Sequence, residues 1–92
     1  MALIGNELEL GAAIREHRDK AGLTQAELAA RAGVSRAFII DIERGRRPRA
    51  ELGRVLALLR SLEVSITLTA ADTRSMDEIL DALVGDQLVE DR

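Results

Sequence analysis

Apolar residues recur along this chain at intervals of three and four, switch at the start of its last third to strict alternation, and then return to helical spacing. Asn6 and Glu9 carry the spacing of a capping box, and Leu10, Ala13, Ile14 and Ala21 follow on one helical face until Gly22. That pattern predicts a first helix, opened by side-chain caps and closed by a residue that tolerates positive φ. Thr24 and Glu27 repeat the box, Leu28, Ala29 and Ala32 share the next face, and Gly33 stops a short second helix. Ser35, a good N-cap, follows at once, and Ile39 and Ile42 mark the inner side of a third helix up to Gly45. So short a connection makes the second and third helices meet at a sharp angle.

Arg46 to Arg49 form a basic loop that holds the only proline. Leu52, Val55, Leu56, Leu59 and Leu62 then make the longest apolar stripe, a fourth helix expected to be the backbone of the core. At Val64 the period changes: Val64-Ser65-Ile66-Thr67-Leu68-Thr69 alternates apolar and hydroxyl residues as a half-buried strand does. No other segment clearly pairs with it, and a solitary strand leaves its backbone groups unmatched. The same strand from a second copy, related by a two-fold axis, is the simplest partner. A homodimer joined through Val64, Ile66 and Leu68 is therefore expected.

After Thr73 a third box, Ser75 with Glu78, opens a segment in which Met76, Ile79, Leu80, Leu83 and Val84 share a face until Gly85. Two readings of that face stand: it folds back on its own dimer, or it docks in a groove on a protein partner. The expected fold is all-α, with four helices, one C-terminal β-strand pairing across a dimer, and a short C-terminal helix. Residues 6–70 make the folded domain and 71–92 a C-terminal arm.

With 92 residues, 47% of them apolar, the chain can build one core but not two. Phe38 is the only aromatic residue, so Leu, Ile, Val and Ala must fill that core. The absence of cysteine removes disulfides, thiolate zinc sites and cysteine nucleophiles, and agrees with a reducing cytoplasm. His17 is the only histidine, so it is given a surface or packing role and no metal is expected. No apolar run approaches the roughly 20 residues that span a bilayer, and the first six residues lack the basic and apolar regions of an export signal. A cytoplasmic protein without a membrane partner is expected. No nucleophile–base pair, phosphate-binding glycine loop or metal cluster is legible, so neither an enzyme nor a cofactor is expected.

The net charge of −3 is unevenly placed. Residues 1–70 carry 11 Lys+Arg against 9 Asp+Glu, and residues 71–92 carry 2 against 7, so the acidity lies in the arm. Local field matters more than the sum for binding a polyanion, and Arg44, Arg46, Arg47 and Arg49 crowd one short stretch. Such a patch alone is usually a solvated face; beside a helix-turn-helix pattern from Gln25 to Arg44 it points to DNA.

Gly22-Leu23-Thr24-Gln25-Ala26-Glu27-Leu28-Ala29, then Gly33-Val34-Ser35, then Ile42-Glu43-Arg44-Gly45 resemble the Xre/Cro family of phage-type repressors over residues 8–62. Ser61-Leu62-Glu63-Val64-Ser65-Ile66-Thr67-Leu68 is similar to HipB-type antitoxins, whose single strand pairs across the dimer and whose partner is a HipA-type Ser/Thr kinase toxin. The resemblance implies that Gln25, at the N-terminus of the second helix, contacts a phosphate. It implies a third helix in the major groove, where Ser35, Arg36, Ala37 and Asp41 reach base edges. Arg36 leads this set, because its fork takes both acceptors of a guanine, worth about 1–3 kcal/mol of discrimination. Arg46, Arg47 and Arg49 would grip the backbone, each neutralised phosphate steepening the salt dependence by about 0.9. Arg18 and Glu43 match a pair that braces the scaffold.

Phe38 and Ile40 depart from a pattern that often has polar residues there. Core suits Phe38 best, and Ile40 touches either a thymine methyl or a protein. The function so implied is a dimeric repressor of an inverted-repeat operator in double-stranded DNA, acting as the antitoxin of a toxin–antitoxin pair. Two alternatives remain: a stand-alone phage or housekeeping repressor, and an interaction module that no longer reads DNA.

Overall fold

The computed structural model describes residues 3–70. They contain four helices, α1 (Glu7–Lys20), α2 (Gln25–Ala32), α3 (Arg36–Glu43) and α4 (Leu52–Ser61), and no strand.

Three of the four helices begin where a side chain can take an orphan N–H. Thr24 and Glu27 form the complete box, Glu27 N–H to Thr24 Oγ1 at 3.0 Å and Thr24 N–H to Glu27 Oε1 at 2.8 Å. Ser35 Oγ accepts from Phe38 N–H at 3.0 Å. At α1 the expected box is only half made. Asn6 Oδ1 accepts from Glu9 N–H at 2.8 Å, but the Glu9 carboxylate reaches past the cap to Gly5 N–H at 2.6 Å. Glu51, ahead of α4, makes no side-chain cap bond.

Every helix ends with one kind of closure. Leu23, Val34, Arg46 and Val64 each donate a main-chain N–H five residues back, to Arg18, Ala29, Asp41 and Leu59, at 2.8–3.2 Å. The residue before each donor is left-handed: glycine in three cases, and Glu63, at φ 58°, in the fourth. Only Gly33 and Val34 lie between α2 and the Ser35 cap, so the left-handed Gly33 (φ 72°, ψ 32°) sets the angle at which α3 leaves. The first and third helices therefore stop at Lys20 and Glu43, two residues short of the glycines expected to bound them.

The core comprises Ile14, Leu23, Leu28, Ala29, Phe38, Ile39, Ile42, Val55, Leu58 and Leu59. Each of its larger side chains contributes about 1.5–3 kcal/mol by leaving water. α2 packs against both α3 and α4, and α1 lies across α3. The α1–α3 crossing is close because residue 11 is glycine: a Cβ there would collide with the carbonyl oxygens of Ile42 and Glu43.

The α4 stripe differs from expectation. Its buried residues are Val55, Leu58 and Leu59, whereas Leu52 is 68% exposed. Leu52 lies in the opening turn of α4 and borders a shallow apolar cleft beside Leu10 and Ile42. Ala21, expected on the inner face of the first helix, is exposed just past its end. Val64–Thr69 belongs to no regular element of the single chain. Val64 packs half-buried on the core, while Ile66 and Leu68 are 54% and 90% exposed. The expected arm, with Met76, Ile79, Leu80 and Leu83, lies outside the described residues. Among the described residues no helix is long and apolar enough to cross a membrane.

Candidate nucleic-acid interface

One buried carboxylate ties the three helices around the turn together. Glu43, the last residue of α3, accepts from Arg18 Nε at 2.6 Å and from Arg18 Nη2 at 3.0 Å. The third donor of this α1 guanidinium, Nη1, reaches the Leu23 carbonyl at 3.0 Å. Gln25 Nε2 completes the group by donating to Glu43 Oε1 at 3.2 Å. The Arg18 and Glu43 side chains are only 10% and 4% exposed. Hydrogen bonding to Glu43 raises the Arg18 pKa above its ordinary value despite the cost of burial. The two residues thus form the bidentate pair that the family resemblance implied.

Above this pair opens a groove of about 500 Å³ between the start of α2 and the outer side of α3. Thr24, Gln25 and Ala26 line one wall, and Arg15, from α1, stands at its edge. The first turn of any helix has N–H groups without an intrahelical acceptor and the positive end of the dipole. The opposite wall is a ridge of Arg36 and Ile40 from α3 and Arg44 just past its end, spaced four residues apart. With Glu43 committed to Arg18, neither Arg36 nor Arg44 has an acidic partner among the described residues. The groove is therefore an electropositive slot with an apolar residue, Ile40, midway along one side. Its chemistry suits a polyanion.

The basic loop follows on the other flank of α3. Phe38 is 1% exposed, and two guanidiniums complete its cover: Arg47 lies 5.2 Å and Arg54 5.9 Å from the ring centroid. Arg47 Nε also meets Asp41 Oδ2 at 3.4 Å. Arg46 and Arg49 are exposed, with no ion-pair partner among the described residues.

The structure thus brings Gln25 and Arg36 to one groove and leaves Ser35 and Ala37 exposed at the start of α3. It pairs Asp41 with Arg47 and sets Arg46 and Arg49 on the loop beyond. Ile40 faces the groove and Phe38 the core. Arg15 and Arg44, which complete the groove, were not among the expected contacts. Arg44 had a sequence signal, because it stands four residues from Ile40 and eight from Arg36. Arg15 had none, since only the folding of α1 over α3 brings it near.

Two short helices crossing at a glycine turn, with arginines around the slot they form, define a helix-turn-helix protein. The family model described as a helix-turn-helix domain matches residues 9–71. An HTH-type transcriptional regulator of Sinorhizobium fredii, y4mF, is 42% identical over 66 residues, 72% of this chain and 86% of its own length. Another, from Methanothermobacter thermautotrophicus, is 64% identical over 33 residues, 36% of this chain. Among solved structures, a HipB–O4 20mer complex superposes with TM-score 0.70 at 32% identity, covering 78% of this chain and all of the other. A HipA–HipB–O2–O3 complex gives TM-score 0.66 at 33% identity, covering 80% of this chain and 100% of that one. The restriction-modification controller protein C.AhdI of Aeromonas hydrophila gives 0.59 at 33% identity over 63% of this chain and 86% of its own. The chain belongs to the Xre-like helix-turn-helix family of DNA-binding transcriptional regulators, and its fold is close to that of HipB.

Proposed function

We propose that this regulator is a sequence-specific repressor that binds an inverted-repeat operator as a homodimer and serves as the antitoxin of a HipA-type kinase toxin in the cytoplasm. The observation that carries the DNA-reading part is the slot itself, a helix N-terminus facing Arg36 and Arg44, neither of which has an ion-pair partner among the described residues. Gln25 and the first N–H groups of α2 take a phosphate, which fixes register. Ser35, Arg36, Ala37 and Asp41 face base edges, and Arg36 is the main discriminator. Arg46, Arg47 and Arg49 hold the flanking backbone through its phosphates.

Ile66 and Leu68 support the dimer, because two apolar side chains this exposed gain from burial against a second copy, whose own 64–69 segment supplies the missing strand partner. The two α3 helices then lie about 34 Å apart, one turn of B-DNA. The domain over 6–70 reads and dimerises. The arm over 71–92 presents Met76, Ile79, Leu80 and Leu83 to the toxin, and likeness to HipB, one of whose complexes contains HipA, supports that role. The test is fluorescence anisotropy with DNA from just upstream of the protein's own gene, against a scrambled duplex, at two salt concentrations. Tight, salt-sensitive preference for the upstream DNA is expected. Equal, weak binding to both would sink sequence-specific repression and leave a protein-interaction module.

A further inference from the structure

Asp41 stands on the outward side of α3, yet its carboxylate is already engaged. Its main-chain carbonyl accepts the Arg46 N–H at 2.8 Å, which fixes where the basic loop departs. Its Oδ2 lies 3.4 Å from Arg47 Nε, and the same guanidinium rests 5.2 Å above the Phe38 ring. Arg47 is thereby folded back along α3, held by a carboxylate on one side and an aromatic face on the other. Its neighbours Arg46 and Arg49 have no such tether among the described residues. Among the described residues, then, one arginine of the loop is held in and two are untethered.

Resting on the DNA-binding reading above, we propose that Asp41 is a latch that withholds Arg47 from the DNA backbone and so keeps affinity for non-operator duplex low. A phosphate must outcompete the carboxylate before Arg47 adds its contact. The pair is half-exposed, with side chains 43% and 36% accessible, so the latch is weak enough to open on DNA. When it opens, the carboxylate is released beside the bases, where it can accept from a cytosine amino group. A base that offers such a donor pulls the carboxylate away from Arg47, and one that offers only acceptors leaves the latch shut. Backbone grip and base reading are thereby coupled through one side chain. This accounts for an acid on a face that otherwise collects arginines.

The test uses the full chain and a random-sequence 20-mer duplex, so it needs no knowledge of the operator. Asp41→Asn keeps the side chain's shape and removes the charge. It is expected to bind the random duplex about two- to five-fold more tightly, the scale of a partly exposed ion pair, with a salt slope steeper by up to about 0.9, one added phosphate. Removing a negative charge near DNA raises affinity even without a latch, so the deciding arm is Arg47→Gln. In that background Asp41→Asn is expected to change affinity less than half as much and to leave the slope unaltered. Equal effects in the two backgrounds would overturn the latch while leaving DNA binding intact. No binding of any duplex by the unaltered protein would overturn both. Thermal melts of all four proteins exclude an effect through folding, since the pair contributes little to stability.

Discussion

Replacing Glu43 by alanine removes the carboxylate on which α1, α2 and α3 converge, and its cost follows from how little water reaches the site. Arg18 loses bonds of 2.6 and 3.0 Å and keeps only the Leu23 carbonyl and a 3.4 Å contact with Asp19. Removing the buried partner of a guanidinium that is only 10% exposed in the intact protein costs about 3–5 kcal/mol. A chain of 92 residues has a total stability of about 5–14 kcal/mol, so the variant stands near the edge of folding. Urea denaturation followed by far-ultraviolet circular dichroism measures the change, with the unfolding slope checked for a constant value. Replacing both partners, Arg18→Met with Glu43→Leu, is expected to recover most of the loss, because the penalty lies in the orphaned charge more than in the missing bond. A loss below about 1 kcal/mol for Glu43→Ala would show that the pair behaves as a surface ion pair. It would refute the brace.

Two further outcomes follow from the helix ends. Glu63 holds the left-handed position that glycine holds in the other three closures, so Glu63→Gly is expected to stabilise the domain by about 1 kcal/mol, read as a higher urea midpoint. Thr24 hydrogen bonds hold the Glu27 carboxyl below its ordinary pKa, and Lys20 does the same for Glu16. A depressed folded-state value means that this stability is present above the unfolded carboxyl pKa and is lost as pH falls through the folded one. Stability is therefore expected to decline on the acid side of the ordinary glutamate range, and Glu27→Gln to flatten that limb in a series of pH-dependent melts.

Local features of the fold were readable because their causes are local. The Thr24–Glu27 box, the Gly33 turn and the Ser35 cap each depend on residues within four positions of one another, and all three formed. Asn6 and Glu9 have the same spacing, yet Glu9 found a competing donor in Gly5, which spacing alone does not reveal. Glu63 carries no mark of its left-handed backbone, because glutamate is not the residue that conformation selects. Leu58 escaped the apolar stripe because every fourth-helix leucine looks alike until α2 packs over one side. The candidate site was legible in type more than in membership. Arg36 and Gln25 follow from the motif, but the slot also needs Arg15 and Arg44, which only three assembled helices bring to it. The Asp41–Arg47 pair spans a turn whose shape is set by the Gly45 closure, so no periodicity announces it.

On the proposed function, the arginine-lined side of α3 reads base edges. The most direct measurement is a base-by-base substitution series in the upstream duplex, bound in parallel by the unaltered protein and by Arg36→Ala. If Arg36 takes both acceptors of a guanine, the unaltered protein discriminates at one G·C pair in each half-site by about 1–3 kcal/mol, and Arg36→Ala erases the preference there alone, leaving the rest of the profile and the salt slope nearly unchanged. An Arg36→Ala profile parallel to that of the unaltered protein at every position, weaker throughout and shallower in salt, would make Arg36 a phosphate contact and contradict the claim.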